Sequence, residues 1–220
     1  MRKKITRRSF LKKAAVTAAL GGMSTILLTQ KAPANISNNK KPNILFILND
    51  QERAWPYIPS HIDLPARRYL ESISTYFNRS YTSTPLCSPS RSSIYTGQHV
   101  QYTGVWDNTV APWVPGLHDG INTIGHLLRN NDYLTSYFGK WHLTNITENQ
   151  VNENSLGFDG MRKMFDKHGF TISNQEGEKD LGQGGFIHDG PTAKNAANFI
   201  YDNKKSSSPW ASFINFVNPH

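Results

Sequence analysis

The chain runs to 220 residues, with 24 Lys and Arg against 16 Asp and Glu and a single cysteine. One cysteine excludes an internal disulfide. The basic excess is local: residues 1–34 hold eight of the 24 basic residues and no acid, leaving 16 against 16 in the remainder, so net charge gives no argument for a nucleic-acid partner.

In chain order, Thr6 to Lys13 reads T-R-R-S-F-L-K-K, followed by an apolar run from Ala14 to Leu28 and then Ala32-Pro33-Ala34. This is the pattern of a twin-arginine signal peptide over residues 1–34 with an A-x-A cleavage site. The run is too short and too rich in Gly and Thr for a membrane span of about 20 residues. The sequence therefore predicts export by the twin-arginine translocon to the periplasm or beyond, with no stable membrane anchor once the signal is removed. Residues 35–41 form a short polar linker, and residues 42–220 are long enough for one domain with its own core.

Asn43 to Leu48 is apolar without alternation, as a fully buried parallel strand should be. Leu64 to Phe77 has helical periodicity, with Leu64, Leu70, Ile73 and Phe77 on one side. Further helices are expected over Thr123 to Arg129 and Thr192 to Asn203, and strands over Tyr133 to Phe138 and Trp210 to Val217. Buried strands alternating with helices predict an α/β fold, a doubly wound and mostly parallel sheet with helices on both faces. Asp107 to Gly120 and Ser173 to Gly190 are rich in turn-formers and read as loops at the site rim or insertions. Asn-x-Ser/Thr triplets begin at Asn35, Asn78 and Asn145; a twin-arginine signal implies a prokaryote or plastid, so no glycans are assigned to them.

The most informative pattern is Cys87-Ser88-Pro89-Ser90-Arg91. Ser88 suits an N-cap and Pro89 the first helical position, which would leave Cys87 just outside a helix N-terminus, where free N–H groups favour anions. Arg91, about one helical turn on, could add a fork of donors suited to sulfate or phosphate oxygens. Cys-Ser-Pro-Ser-Arg, with Thr96-Gly97 beyond it, resembles the signature C-x-P-S-R-x-x-x-x-T-G of the type I, formylglycine-dependent sulfatases of the alkaline phosphatase-like superfamily. The resemblance implies that a formylglycine-generating maturase oxidises Cys87 and that the hydrated aldehyde is the nucleophile.

Three further blocks follow in that family's order. Asp50 and Gln51 stand at the end of the first strand as hard oxygen donors suited to Ca²⁺ or Mg²⁺, and the resemblance makes them metal ligands together with residue 87. In Gly139-Lys140-Trp141-His142-Leu143, alternation along an extended segment would point Lys140 and His142 to one side and Trp141 to the other. By resemblance, Lys140 bridges the nucleophile and a sulfate oxygen, and His142 contacts the formylglycine hydrate. Asn218-Pro219-His220 follows the last strand, and by resemblance His220 protonates the leaving oxygen. His61, His99, His118, His126, His168 and His188 have no motif around them and are assigned structural or surface roles.

The reading is a sulfatase that hydrolyses a sulfate ester to an alcohol and sulfate. Members of the family run to about twice this length, so residues 42–220 are expected to be the N-terminal part of a catalytic domain, inactive alone. Two alternatives stay open: a phosphonate or phosphodiester hydrolase of the same superfamily, and a non-catalytic exported anion-binding protein in which Cys87 stays a thiol.

Overall fold

The computed structural model describes residues 40–54, 57–59, 61–145, 157–173 and 184–220. The expected signal peptide, most of the linker and the triplet at Asn35 lie outside the described residues. Among these residues four strands form one parallel sheet in the order β1-β4-β2-β3: β1 (Ile44–Asn49), β2 (Leu134–Gly139), β3 (Ile172–Ser173) and β4 (Trp210–Phe216). Among the described residues six helices accompany them: α1 (Pro65–Ile73), α2 (Cys87–Thr96), α3 (Val100–Thr103), α4 (Ile124–Arg129), α5 (Gly157–Lys167) and α6 (Gly184–Asn203).

The two-residue period of the strands divides the core between the faces of the sheet. Tyr137 and Phe213 turn to one face and join Tyr95 of α2, Trp141, Phe170, and Met161 and Phe165 of α5. Phe138 and Ile214, one residue on, turn to the other and pack with Ala196 and Phe199 of α6 and with Trp210. The first cluster is strongly aromatic: the Tyr137 and Phe165 rings stack at 4.8 Å, and Tyr137 meets Trp141 edge-on at 5.2 Å. Full burial of each large apolar side chain contributes about 1.5–3 kcal/mol. Helices on both faces of a parallel sheet are the doubly wound arrangement expected from the sequence.

Several elements differ from the expectation. β1 pairs on one side only and its exposure alternates, with Leu45 and Ile47 about half exposed, because α6 covers β2 and β4 and stops short of β1. Pro65 opens α1 and the helix ends at Ile73, so Phe77 lies beyond it; Leu70, Ile73 and Phe77 are exposed. Its helical period is real, but no described element packs against that face. α6 starts at Gly184 and carries Pro191 inside it, so the second expected loop is helical from residue 184 and its 174–183 part lies outside the described residues. Helices α3 and α5 were not read from the sequence. At α4, Thr123 caps the N-terminus as a reciprocal capping box with His126.

Candidate active site

The site lies at the carboxyl ends of the parallel strands, where sheets of this kind place their ligands. β1 delivers Asp50, β2 delivers Lys140 and His142, and the turn after β4 delivers His220. α2 brings Cys87 in from the side. Asp50, Gln51, Thr82, Thr84, Cys87 and Arg91 are among the residues lining a cleft of about 310 Å³.

Cys87 occupies the first turn of α2, and Leu86 stands at the cap position with no side-chain cap bond. Ser88 is therefore not the N-cap and Pro89 is not the first helical residue. The hydroxyl of Ser88 is taken by Thr109, whose backbone N–H donates to it at 3.2 Å, and the Ser88 N–H donates to Asn108 Oδ1 at 3.1 Å. The loop after Asp107 thus caps α2 from outside. Thr109 Oγ1 also donates to the His142 carbonyl, so one buried threonine links the cysteine helix to the histidine block.

Asp50 is 8% exposed and forms a buried ion pair with Lys140, which is 2% exposed. Burial opposes the carboxylate charge, but the Lys140 hydrogen bond and charge, with Arg91 behind them, hold Asp50 below the usual carboxylate range. The Cys87 thiol lies 3.7 Å from Asp50 Oδ2, and burial together with that carboxylate pushes its pKa up. An unmodified Cys87 is thus a protonated thiol at neutral pH, not an activated nucleophile.

Arg91 departs from expectation. It is 3% exposed: Nε donates to the Trp141 carbonyl at 2.7 Å, while Nη2 donates to the Lys140 carbonyl, to Tyr137 Oη at 2.8 Å and to Asn215 Oδ1 at 2.9 Å. The fork expected to face an anion holds the Lys140-Trp141 backbone instead. Asn215, next to the last residue of β4, also accepts from Tyr95 Oη at 2.5 Å and, through its own carbonyl, from the Lys140 N–H at 3.0 Å. Sequence reasoning missed Asn215, Tyr95, Tyr137 and Thr109. The available signal for Asn215 was a lone amide inside the apolar run Phe213-Ile214-Asn215-Phe216.

Lys140 and His142 face the site and Trp141 enters the aromatic core, but the segment is not extended, since His142 sits at φ 55. Gly139, at φ 89, starts this turn, and a Cβ there would lie 2.0 Å from the Asn215 carbonyl oxygen. Only glycine fits this position. His142 is 3% exposed with neither ring nitrogen hydrogen-bonded among the described residues. Burial, then the charges of Lys140 and Arg91, lower its pKa to about 3, so it is a neutral imidazole. Gln51 is exposed at φ 51 on the cleft wall, and His220 is exposed with a ring nitrogen near both Asp50 and Cys87.

A cation is compatible with this donor set, because Asp50 is ionised, Gln51 adjoins it, and the His142 nitrogens are buried donors or acceptors awaiting a partner. Of the other histidines, His168 is buried against the Trp141 ring and His126 belongs to the α4 capping box, both structural placements.

The carboxyl end of the parallel sheet thus gathers a cysteine helix, a buried Asp50–Lys140 pair and two histidines, His142 and His220. Comparison with known proteins gives the class: the sulfatase family profile matches residues 42–220, and the chain belongs to the sulfatase family. It is 33% identical over 108 residues to the uncharacterized sulfatase YidJ of Escherichia coli, covering 47% of this chain and 20% of that one. It is 37% identical over 105 residues to a choline-sulfatase of Rhizobium meliloti, covering 46% and 20%. A Bacteroides fragilis crystal structure assigned as the sulfatase YidJ superposes with a TM-score of 0.64 at 23% identity, over 81% of this chain and 44% of that one, a likeness of fold. The matched region spans about a fifth of those two curated relatives.

Proposed function

We propose that the protein is an exported sulfatase that cleaves a sulfate ester to an alcohol and inorganic sulfate, with residue 87 as formylglycine. The observation that carries this reading is the convergence of Cys87, Lys140 and His220 on Asp50, with the thiol itself unsuited to attack. When present, formylglycine supplies the nucleophile as its hydrate, and Ca²⁺ or Mg²⁺ held by Asp50, Gln51 and residue 87 supplies charge that polarises the sulfate oxygens.

The chain's own residues do the rest. Lys140 presents a dry ammonium beside position 87, where it binds a sulfate oxygen and stabilises charge developing there. Arg91 and Asn215 hold the Lys140 backbone so that this ammonium stays in place. His142, neutral and buried, accepts a hydrogen bond or a proton from a hydroxyl in the site. His220, at the open side, donates a proton to the departing alkoxide.

Export through the twin-arginine translocon fits this chemistry, because that route carries folded chains and so permits a maturase to act on Cys87 first. Replacing Arg7 and Arg8 by Lys should keep the protein out of the periplasmic fraction; undiminished export would remove the assignment. The function is tested by co-expression with a formylglycine-generating maturase and assay against an aryl sulfate and the matching phosphate and phosphonate esters. Cation-dependent turnover of the sulfate ester, lost in Cys87→Ala, is expected of a chain spanning the whole catalytic domain, and little or none of the 220 residues alone even with residue 87 converted. Preference for the phosphonate or phosphate diester would move the protein elsewhere in its superfamily, and anion binding without turnover would make it a binding protein.

A further inference from the structure

Among the described residues, Asp50, Cys87 and His220 are the one group of His, Cys, Asp and Glu side chains whose ligand atoms converge, all within 4.8 Å of one another. A tetrahedral Zn²⁺ with bonds of about 2.0–2.1 Å to N or O and about 2.3 Å to S places such atoms about 3.5 Å apart. Cys87 Sγ and Asp50 Oδ2 are 3.7 Å apart. Thiolate, imidazole and carboxylate are a set that selects Zn²⁺ and its neighbours in the first transition row, whereas Ca²⁺ and Mg²⁺ require oxygen.

We propose that the unconverted protein, with Cys87 as the thiol, is a Zn²⁺-class metal site formed by Cys87 Sγ, Asp50 and His220. Binding forms three bonds to the metal and releases the Cys87 S–H proton to solvent, so affinity rises with pH. Lys140 and Cys87 both approach Asp50 Oδ2, so Asp50 serves through a second lone pair of that oxygen beside the Lys140 hydrogen bond, and the Lys140 ammonium offsets one of the two negative charges the site then carries. Three protein ligands leave one coordination position open to water. Converting Cys87 to formylglycine, which rests on the hydrolytic reading, would remove the sulfur and one negative charge, turning a soft-metal site into a hard-cation site by changing one side chain. A metal-bound thiolate would also be withheld from the maturase, so zinc and maturation would compete for the same residue.

The test uses the 220-residue chain expressed without maturase and titrated with Co²⁺ as a spectroscopic stand-in for Zn²⁺. A near-ultraviolet sulfur-to-cobalt charge-transfer band is expected, and because the chain has a single cysteine it reports Cys87 directly. Zn²⁺ should abolish the band by displacement and excess Ca²⁺ should not. Asp50→Asn and His220→Ala should each weaken binding by at least about tenfold, the loss typical even of groups one shell removed from a metal. Co²⁺ binding without the band, or a band unaltered in His220→Ala, overturns the proposal. Neither readout depends on ester hydrolysis, so failure here and failure of the sulfatase reading are separate results.

Discussion

Arg91 and Asn215 meet in the interior of the protein, Nη2 to Oδ1 at 2.9 Å, and this contact ties the cysteine helix to the central strand of the sheet. Through it, α2, the end of β2 and the approach to His220 share one buried network. Asn215→Leu would remove one of several acceptors from Arg91, whose Nη2 keeps the Lys140 carbonyl and Tyr137 Oη, and would remove the Asn215 acceptor from the buried Tyr95 hydroxyl. Each lost hydrogen bond contributes about 0.5–1.5 kcal/mol, so urea unfolding should show a midpoint below that of the unaltered chain. Asn215→Asp keeps the Oδ1 acceptor that Arg91 and Tyr95 share and should retain most of the stability. Equal loss in the two variants would mean that side-chain volume, not hydrogen bonding, matters at this position.

The Asp50–Lys140 pair should behave as a buried unit. Lys140→Met leaves a carboxylate without its partner and Asp50→Asn leaves an ammonium without its own, each costing about 3–5 kcal/mol. The double variant should cost distinctly less than the sum of the two. A double-mutant cycle from urea unfolding measures the coupling, and strictly additive losses would show that the two charges do not depend on each other.

Gly139→Ala should be among the most damaging single changes outside the cleft. Its Cβ would collide with the backbone of β4 at 2.0 Å, and the residue already sits at a positive φ that alanine disfavours. Backbone cannot swing aside as a side-chain tip can. Loss of soluble protein, or a fall in unfolding midpoint exceeding that of Asn215→Leu, is expected.

Acid should destabilise the fold well before its carboxylates titrate. Burial, with the charges of His126 and Lys167 adding to it against Asp119, holds His168 at a pKa of about 4. The unfolded chain therefore takes up this proton first. The contribution of neutral His168 is fully present above about pH 6.5 and is lost progressively as pH falls from about 6.5 towards 4. Unfolding free energies measured at pH 7 and pH 5 should differ more in the unaltered chain than in His168→Phe, which keeps a ring against Trp141 but cannot be protonated. His142, depressed to about 3, adds to the slope in both proteins.

The contiguous blocks were legible in the sequence because each lies on one short segment at a strand end or helix start. Asp50, Cys87, Lys140 and His220 needed only the fold to bring them together. Arg91 was legible as a residue of the site but not in its direction: its donors are turned inward by carbonyls some fifty residues away and by Asn215, a choice made by tertiary packing. Ser88 looked like a cap because the local rule prefers it, and lost that place when Thr109 approached from a loop. The apolar period of α1 was read correctly as helical, yet period alone does not say what packs against a face. The length of α6 was hidden by Gly184, Gly185, Gly190 and Pro191, residues that read as a loop but are carried within the helix.

The most direct test of the account is the chemical state of residue 87 in protein made alongside a formylglycine-generating maturase. Mass spectrometry of the tryptic peptide containing that residue should show the side-chain CH₂–SH replaced by an aldehyde or its hydrate. An unmodified thiol at position 87 under those conditions, or turnover that persists in the thiol form, would contradict it.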